Sequence, residues 1–310
     1  MSLPNKITIV EVGARDGFQM EPVFIPTDKK VEIINAISQT GVPIVETTSF
    51  VNPKVIPQMA DAAEVMNRIE RAPGVRYTAL IPNLKGADRA LEAGVDGLRL
   101  VVCVSETYNQ KNVGMSVEQS LEACEDVLKR ANQNNSSVDV AVGLSFGCPL
   151  EGHVPPKNVF SLVGRLVDMG FQEIAIADTV GVANPQQVRE MMGQLLAQFP
   201  GTLFSLHFHD TRGLGLANVL AGIEEGVTQF DSSIGGMGGC PVVPGASGNI
   251  ATEDLVNMLN EMGLETGVDT DKVMACSSIA ERFFDRRLPS HILQAGTRAQ
   301  LYQKSNSNPN

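Results

Sequence analysis

The segment Glu173–Asp210, EIAIADTVGVANPQQVREMMGQLLAQFPGTLFSLHFHD, alternates between the two patterns from which parallel sheets are built. Its short apolar runs, Glu173–Ala177 and Leu203–His207, predict buried strands. Between them, Asn184 offers an N-cap and Pro185 a first-turn proline for the helix that follows. A strand, a helix and a second strand in this order predict a parallel βαβ unit.

The same alternation continues along the chain and predicts an α/β fold. The predicted strands are Ile7–Val12, Ile44–Thr48, Tyr77–Ile81, Gly97–Val102, Val138–Ser145, Glu173–Ala177, Leu203–His207 and Gln229–Ser232. The predicted helices are Asp28–Thr40, Ala60–Arg71, Lys85–Ala93, Val117–Gln133, Pro156–Met169, Pro185–Gln198 and Leu216–Glu225. Several helices end at a glycine in the C′ position, namely Gly41, Gly94, Gly170 and Gly226. Eight strands with intervening helices predict a (β/α)8 TIM barrel.

We expect this barrel to form a single catalytic domain over residues 1–300. The helical pattern from about Glu253 to Arg287 is expected to extend the barrel after its eighth strand, and residues 301–310 are expected to be a disordered tail. An open doubly wound sheet is the competing architecture. It would need a glycine-rich phosphate fingerprint after the first strand, which Val12–Arg15 does not provide.

The composition bounds the classes of function. A formal net charge of -11 argues against nucleic acid as a partner. No apolar run reaches the roughly 20 residues of a membrane span, and the first residues lack the pattern of a signal peptide or presequence. The five cysteines are scattered without a C-x-x-C pair, which is typical of reduced thiols. We therefore expect a cytoplasmic protein.

His207 and His209 are two of only four histidines in the chain. Residues i and i+2 of a strand point to the same face, so both imidazoles would aim at one point, as two ligands of one metal ion must. Two ligands alone are weak evidence, however. The alternative interpretation is that one ring is packed and the other solvated.

Acidic and basic residues at the ends of other strands strengthen the metal interpretation, because barrel enzymes place their chemistry at the carboxyl ends of strands. Asp16 is a candidate ligand and Arg15 a candidate electrophilic clamp, although the two could form a surface ion pair instead. Glu46 and Asp178 could orient the ligands or make structural hydrogen bonds. Imidazoles with oxygen donors suit Mg²⁺, Mn²⁺ or Zn²⁺.

Cys240 follows a glycine-rich stretch, Gly235–Gly239, in which the backbone can approach a ligand closely. A cysteine in such a place could be an acid/base group or a nucleophile, or it could be structural. The remaining cysteines fit structural roles, except that Cys148 lies beside the predicted site. The structural set is Cys103, Cys124 and Cys276.

Taken together, these strand ends resemble the 3-hydroxy-3-methylglutaryl-CoA lyase family, within the wider group of metal-dependent barrel lyases and Claisen-type synthases. The resemblance extends from about Ile7 to Glu281. The motifs that carry it are Glu11-Val12-Gly13, Arg15-Asp16-Gly17 with Gln19 and Glu21, Glu46-Thr47-Thr48-Ser49-Phe50-Val51, Pro82-Asn83-Leu84-Lys85-Gly86, Gly147-Cys148-Pro149 with Glu151-Gly152, His207-Phe208-His209-Asp210-Thr211, and the glycine loop with Cys240 that continues to Gly248-Asn249 and Ala251–Val256.

The resemblance implies a set of site residues and a cofactor. The implied metal ligands are Asp16, His207, His209 and Asn249. The implied catalytic residues are Arg15 and Cys240, with His207, Asp178 and Glu46 beside them, and Gln19 and Glu253 as supports. Asp210 is expected to support its loop rather than to bind metal. The implied cofactor is a divalent ion, Mg²⁺ or Mn²⁺, with Zn²⁺ an option in a crystal.

The implied reaction is a retro-Claisen cleavage of an acyl-CoA into acetyl-CoA and a 3-oxo acid, acetoacetate for the parent substrate. Arg15 would stabilise charge on the thioester oxygen, and Cys240 would deliver a proton to the enolate carbon. Either His207 or Asp178 would take the hydroxyl proton. A homodimer or higher homo-oligomer is also implied.

This sequence departs from the family pattern around the acyl site, so a larger or different 3-hydroxyacyl-CoA stays open as the substrate. The departing residues are Phe18, Met20, Arg212–Gly215 and Val242–Pro244. Two alternatives to the lyase are a related synthase that condenses acetyl-CoA with a 2-oxo acid and a catalytically silent metal-binding paralogue.

Overall fold

Eight parallel strands close into a barrel in the same order as they occur in the chain. The structure is a computed structural model and describes residues 3–239 and 247–307. The strands are β1 (Thr8–Glu11), β2 (Ile44–Ser49), β3 (Arg76–Leu80), β4 (Gly97–Cys103), β5 (Ser137–Gly143), β6 (Glu173–Asp178), β7 (Leu203–Phe208) and β8 (Gln229–Ser232). β1 pairs with β8, which aligns Thr8 with Gln229 and closes the ring. The (β/α)8 barrel predicted from the sequence is confirmed, and each strand overlaps its predicted range.

Helices connect the strands and continue after the last one. They are α1 (Thr27–Ser38), α2 (Ala62–Arg68), α3 (Leu84–Glu92), α4 (Glu106–Val113), α5 (Val117–Gln133), α6 (Pro156–Met169), α7 (Pro185–Gln198), α8 (Gly215–Glu225), α9 (Thr252–Glu261), α10 (Thr270–Phe284), α11 (His291–Ala295) and α12 (Arg298–Ser307). Helices α9 and α10 confirm the predicted extension after the eighth strand. Two short turns also matter for the site: a π-helical turn, Gly13–Gly17, and a 3₁₀ turn, Ile234–Gly236.

Helix α4 has no counterpart among the predicted helices. Its residues, ETYNQKNV, form no apolar stripe with helical period, so the pattern gives no signal. The helix begins because the Oγ of Ser105 accepts a hydrogen bond from the N–H of Tyr108 at 3.1 Å. Local capping, rather than an amphipathic face, therefore accounts for its start.

Helix α12 covers residues 301–307, most of the stretch for which the sequence predicts a disordered tail. A reciprocal cap at Thr297 and Gln300 explains the start of this helix. The N–H of Gln300 donates to the Thr297 hydroxyl at 3.3 Å, and the N–H of Thr297 donates to the Gln300 side chain at 3.1 Å. Residues 308–310 lie outside the described part of the chain.

The strands are buried on both faces, as expected for a parallel sheet covered by helices. All residues of β2 and β8 are buried. The main apolar cluster joins strand residues such as Val45 and Phe230 to helix residues such as Ile33 and Leu162. In the part of the chain that the structure describes, no helix is both long enough and apolar enough to cross a membrane.

Two helix-ending glycines differ in what surrounds them. Gly41, after α1, has φ +94°, and a Cβ built there would lie 2.2 Å from the carbonyl oxygen of Gly267. Gly94, after α3, has φ +77°, and no atom of the described residues lies within 4 Å of a Cβ built there. Both backbones disfavour a side chain, but only Gly41 is also closed off by neighbouring backbone.

We expect Gly94→Ala to lower the free energy of unfolding by about 1–2 kcal/mol, the ordinary cost of a left-handed backbone with a Cβ. Gly41→Ala should cost clearly more, because the backbone of Gly267 must also move. Urea unfolding of both variants beside the parent measures the difference. Equal losses for the two variants would contradict the close contact at Gly267.

Candidate active site

β1 ends in the π-helical turn Gly13–Gly17, which carries Arg15 and Asp16 to the carboxyl end of the barrel. The backbone N–H groups of Arg15 and Asp16 both donate to the carbonyl oxygen of Val12, at 3.1 and 2.7 Å. Single π-helical turns occur frequently at functional sites. Arg15 and Asp16 are only 7% and 6% exposed, so the alternative of a surface ion pair is wrong.

Asp16, His207 and His209 come together in space. One potential ligand atom from each lies within 4.8 Å of the others. The two imidazole centroids are 5.2 Å apart, and the Nε2 of His209 is 3.8 Å from the Oδ2 of Asp16. The structure brings both predicted imidazole ligands together with the carboxylate from the turn after β1, while their role as metal ligands stays a prediction. Two imidazoles and a carboxylate around one point are a donor set that divalent metals accept.

The protonation states of His209 and Asp16 favour the binding of a cation between them. Burial, together with the charge of His207, lowers the pKa of His209 to about 4, so the ring is neutral near pH 7 and keeps a free lone pair. Burial acts to raise the pKa of Asp16, but the charges of Arg15 and the two imidazoles outweigh it and hold that pKa at about 2. Asp16 is therefore a carboxylate at any physiological pH.

Asn249 completes the arrangement from the chain after β8. Its Nδ2 donates to the Oδ2 of Asp16 at 2.7 Å and to the carbonyl of Met237 at 3.0 Å. Two acceptors on this side fix which end of the amide is nitrogen. The Oδ1 of Asn249 is buried and has no hydrogen-bond partner among the residues that the structure describes. A buried unpaired carbonyl is costly, and this oxygen is a hard donor of the kind that Mg²⁺ and Mn²⁺ accept.

Gly238 makes this contact possible. Its φ is +117°, and a Cβ there would lie 2.5 Å from the Nδ2 of Asn249 and 3.3 Å from the Oδ2 of Asp16. Any other residue would push the amide away from the carboxylate.

Arg15 lies between two acids that hold it in place. Its Nε donates to the Oε1 of Glu46, and a terminal nitrogen donates to the Oδ1 of Asp16. Burial lowers the pKa of Arg15, but the charges of Asp16 and Glu46 more than offset it, so the net direction is upward. Gln19 holds the same carboxylate as Arg15 does, since its Nε2 donates to the Oδ1 of Asp16 at 3.0 Å. The predicted roles of Glu46 and Gln19 as orienting groups have a geometric basis.

Asp178, at the end of β6, binds its own loop. Its two carboxylate oxygens accept hydrogen bonds from the N–H groups of Val182 and Ala183, at 3.0 and 2.8 Å. Burial raises its pKa, while these bonds and the nearby charge of His207 partly offset the rise. Asp178 thus holds the β6–α7 loop, and the charge of His207 affects its pKa.

Glu253, in the first turn of α9, supports the site from a distance. Its carboxylate accepts from the N–H of Gly235 at 3.1 and 3.0 Å, which holds the 3₁₀ turn Ile234–Gly236. Met237, whose carbonyl holds Asn249, follows this turn directly. Burial raises the pKa of Glu253 to about 7.

Glu11, at the end of β1, holds the same turn from the other side of the sequence. It accepts a hydrogen bond from the N–H of Ile234 at 3.0 Å. Burial raises the pKa of Glu11 to about 7 as well.

Two residues beside the site, Arg99 in β4 and Asp231 in β8, were not predicted from the sequence. The Nδ1 of His207 lies 3.1 Å from the Oδ2 of Asp231, and a terminal nitrogen of Arg99 donates to the same oxygen at 2.6 Å. The available signal was a charged residue inside a predicted buried strand, Arg99 in GLRLVVC and Asp231 in QFDS. A buried charge requires a buried partner, so each such residue is a reason to look for another.

The other predicted residues have mixed outcomes. The Oδ1 of Asp210 accepts from the N–H of Gly215 at 2.7 Å, which confirms it as loop support. Burial raises the pKa of Cys124 and Cys276 to about 12, in line with structural thiols. Cys240 lies outside the described residues, so its role stays a prediction.

A (β/α)8 barrel with two imidazoles and a carboxylate at the carboxyl ends of its strands defines the class: an enzyme barrel with a candidate divalent metal centre. Comparison with known proteins narrows this class. The family HMGL-like matches residues 6–279. The chain belongs to the HMGL-like family.

Similar proteins are named as lyases of one substrate. The cytoplasmic 3-hydroxy-3-methylglutaryl-CoA lyase of Rattus norvegicus is 44% identical over 96% of this chain and 87% of its own length. The crystal structure of the HMG-CoA lyase of Bacillus subtilis has a TM-score of 0.93 at 44% identity, covering 95% of this chain and 99% of that one. The HMG-CoA lyase of Acinetobacter baumannii in complex with coenzyme A and 3-methylmalate has a TM-score of 0.91 at 42% identity, covering 96% and 97%.

We expect Asp16→Asn to weaken Mn²⁺ binding to the metal-free protein by more than about tenfold, because even groups that only support a ligand contribute about that much. Isothermal titration calorimetry measures the affinity. Asp210→Asn is the matched control, since Asp210 bonds Gly215 and should leave the affinity unchanged. Parent-like Mn²⁺ binding by Asp16→Asn would refute Asp16 as a ligand.

Proposed function

We propose that the protein is a carbon–carbon lyase that cleaves 3-hydroxy-3-methylglutaryl-CoA into acetyl-CoA and acetoacetate. The observation that carries this proposal is the similarity, over nearly the full length, to proteins named as lyases of that substrate. The meeting of Asp16, His207 and His209 supports it independently. The relative solved with coenzyme A supports an acyl-CoA as the substrate class.

The cofactor we propose is one divalent cation, Mg²⁺ or Mn²⁺. Asp16, His207, His209 and the Oδ1 of Asn249 would hold it, and the unpaired state of that buried oxygen is the main reason to include Asn249. When bound, the cation would supply Lewis-acid polarisation of the substrate oxygens and lower the pKa of its tertiary hydroxyl.

The cleavage needs a base for the hydroxyl proton. Loss of this proton lets the C2–C3 bond break, so that its electron pair passes to C2 as the enolate of acetyl-CoA and C3 becomes the ketone of acetoacetate. Of the two candidates, His207 has its Nδ1 engaged with Asp231 and its other nitrogen assigned to the metal. Asp178 has carboxylate lone pairs left over and a raised pKa, so we assign the base to Asp178.

Two further groups are needed once the bond breaks, one to stabilise the negative charge and one to donate a proton. Arg15, held by Glu46 and Asp16, would stabilise negative charge on the thioester oxygen. Cys240 is assigned the proton that C2 must receive. That assignment rests on the family resemblance, because Cys240 lies outside the described residues.

Three properties stay as proposals. We propose a single catalytic domain over residues 1–300 and a homodimer or higher homo-oligomer. A cytoplasmic location is also proposed, although similar proteins are named both as cytoplasmic and as mitochondrial.

We expect the purified protein with Mg²⁺ or Mn²⁺ to convert 3-hydroxy-3-methylglutaryl-CoA into equal amounts of acetyl-CoA and acetoacetate. Coupled assays for the two products measure this, and thioesters with longer 3-alkyl groups tested in parallel define the acyl preference. Absence of acetoacetate, together with CoA release from acetyl-CoA and a 2-oxo acid, would instead establish the synthase.

We expect Cys240→Ala to lower kcat by about 10²–10⁴-fold, the usual contribution of a positioned general acid. Steady-state kinetics on the same substrate measure it, with Cys124→Ala as control because that thiol lies buried in α5. Full activity of Cys240→Ala would show that another group protonates the enolate.

A further inference from the structure

Arg99 is a buried cation that touches acids from three other strands. It lies in the middle of β4 and is only 5% exposed. Its Nε donates to Asp139 of β5 at 2.6 Å, and one terminal nitrogen lies 2.6 Å from Asp231 of β8 and 3.2 Å from Glu46 of β2. Since β4 and β8 lie on opposite sides of the closed ring, the contact with Asp231 crosses the interior of the barrel.

The contact with Asp231 leads directly to His207. A single oxygen, the Oδ2 of Asp231, accepts from Arg99 at 2.6 Å and lies 3.1 Å from the Nδ1 of His207. The other oxygen of Asp231 is buried, and no residue of the described ranges 3–239 and 247–307 forms a hydrogen bond with it. The orientation of this carboxylate, and hence of the ring beside it, therefore depends on Arg99. A ring whose Nδ1–H is held by a carboxylate offers the lone pair of its Nε2 to a metal.

The contact with Glu46 leads to the other half of the site. The Oε2 of Glu46 forms an ion pair with Arg99 at 3.2 Å, without the geometry of a hydrogen bond, while its Oε1 accepts from the Nε of Arg15. One guanidinium thus connects, through one acid each, to the proposed metal ligand His207 and to the proposed electrophile Arg15.

We propose that Arg99 is a positioning residue of the lyase site, which sets the tautomer and orientation of His207 through Asp231 and the orientation of Arg15 through Glu46. This inference rests on the proposed function. Arg99 itself does not exchange a proton, because the charges of Asp139, Asp231 and Glu46 outweigh the effect of burial and raise its pKa further.

The geometry requires arginine rather than lysine. Three carboxylates approach from three strands, and a planar guanidinium has five N–H donors in fixed directions. The three N–H donors of an ammonium group radiate from one atom, whereas Asp139 contacts the Nε of Arg99 and the other two acids contact a terminal nitrogen. Arg99→Lys therefore keeps the buried positive charge and removes the bridging geometry, whereas Arg99→Met removes both.

The first measurement uses metal-free protein. The ring ¹⁵N shifts of His207 report its tautomer, and the chain has only four histidines, so single His→Gln variants assign the spectrum. We expect the Nδ1–H form in the parent and a mixture of forms in Arg99→Met. The control is Arg76→Met, which removes a half-buried arginine of β3 paired with Glu173 at 3.2 Å and should match the parent.

The second measurement is Mn²⁺ affinity by calorimetry. Arg99→Met should raise the Kd by about 10–100-fold, as expected when the partner of a metal-ligating histidine loses its support. The Kd of Arg99→Lys for Mn²⁺ should lie between those of Arg99→Met and the parent. This variant also tests the inference if Arg99→Met does not fold. Arg76→Met should bind as the parent does.

Parent-like tautomer and parent-like Kd in the Arg99 variants would overturn the inference and leave Arg99 a purely structural ion. Failure of the proposed function is a separate outcome, since it requires the parent itself to leave 3-hydroxy-3-methylglutaryl-CoA uncleaved. The comparison of His207 tautomers still tests the positioning role of Arg99 in that case, because it uses neither metal nor substrate.

Discussion

The structure depends on a set of charges that the barrel buries and must therefore pair. Arg15 and Arg99 lie among the carboxylates of Asp16, Glu46 and Asp231 with almost no access to water. Removing one member of such a set leaves its partner charged and desolvated, which costs about 3–5 kcal/mol. These charges come from strands on different sides of the ring, so they are all satisfied together only when the barrel is closed.

Strand register decides which side chains reach this network. His207 is the register partner of Asp231 in β8, and its ring bonds that same residue. A shift of one residue in β7 would turn His207 and His209 to the opposite face and replace them with their apolar neighbours. The large apolar core between strands and helices fixes the register, and in this way ordinary packing determines the geometry of the polar site.

Much of this arrangement could be predicted from the sequence, and the limits have physical causes. The strands, the paired histidines and the Arg15–Asp16 turn follow local patterns that period and chain position reveal. Asn249 came only from family resemblance, because an asparagine in a loop has no distinguishing pattern. Arg99 and Asp231 were missed since their meaning depends on contact across the closed ring, which no local window contains. The start of α4 was not predicted, because it comes from a serine cap rather than an apolar stripe. The role of Cys240 as a proton donor stays a prediction.

The contact at Gly238 has a consequence for how related chains are judged. The space beside Asn249 and Asp16 is part of the site although no side chain fills it. One nucleotide change turns a glycine codon into an alanine codon, and the added methyl group would separate the amide from the carboxylate. Such a chain would retain every proposed ligand and still lose the arrangement of its centre. Inspection of ligands alone would then class a silenced relative as active, so the small residues between the ligands carry equal diagnostic weight.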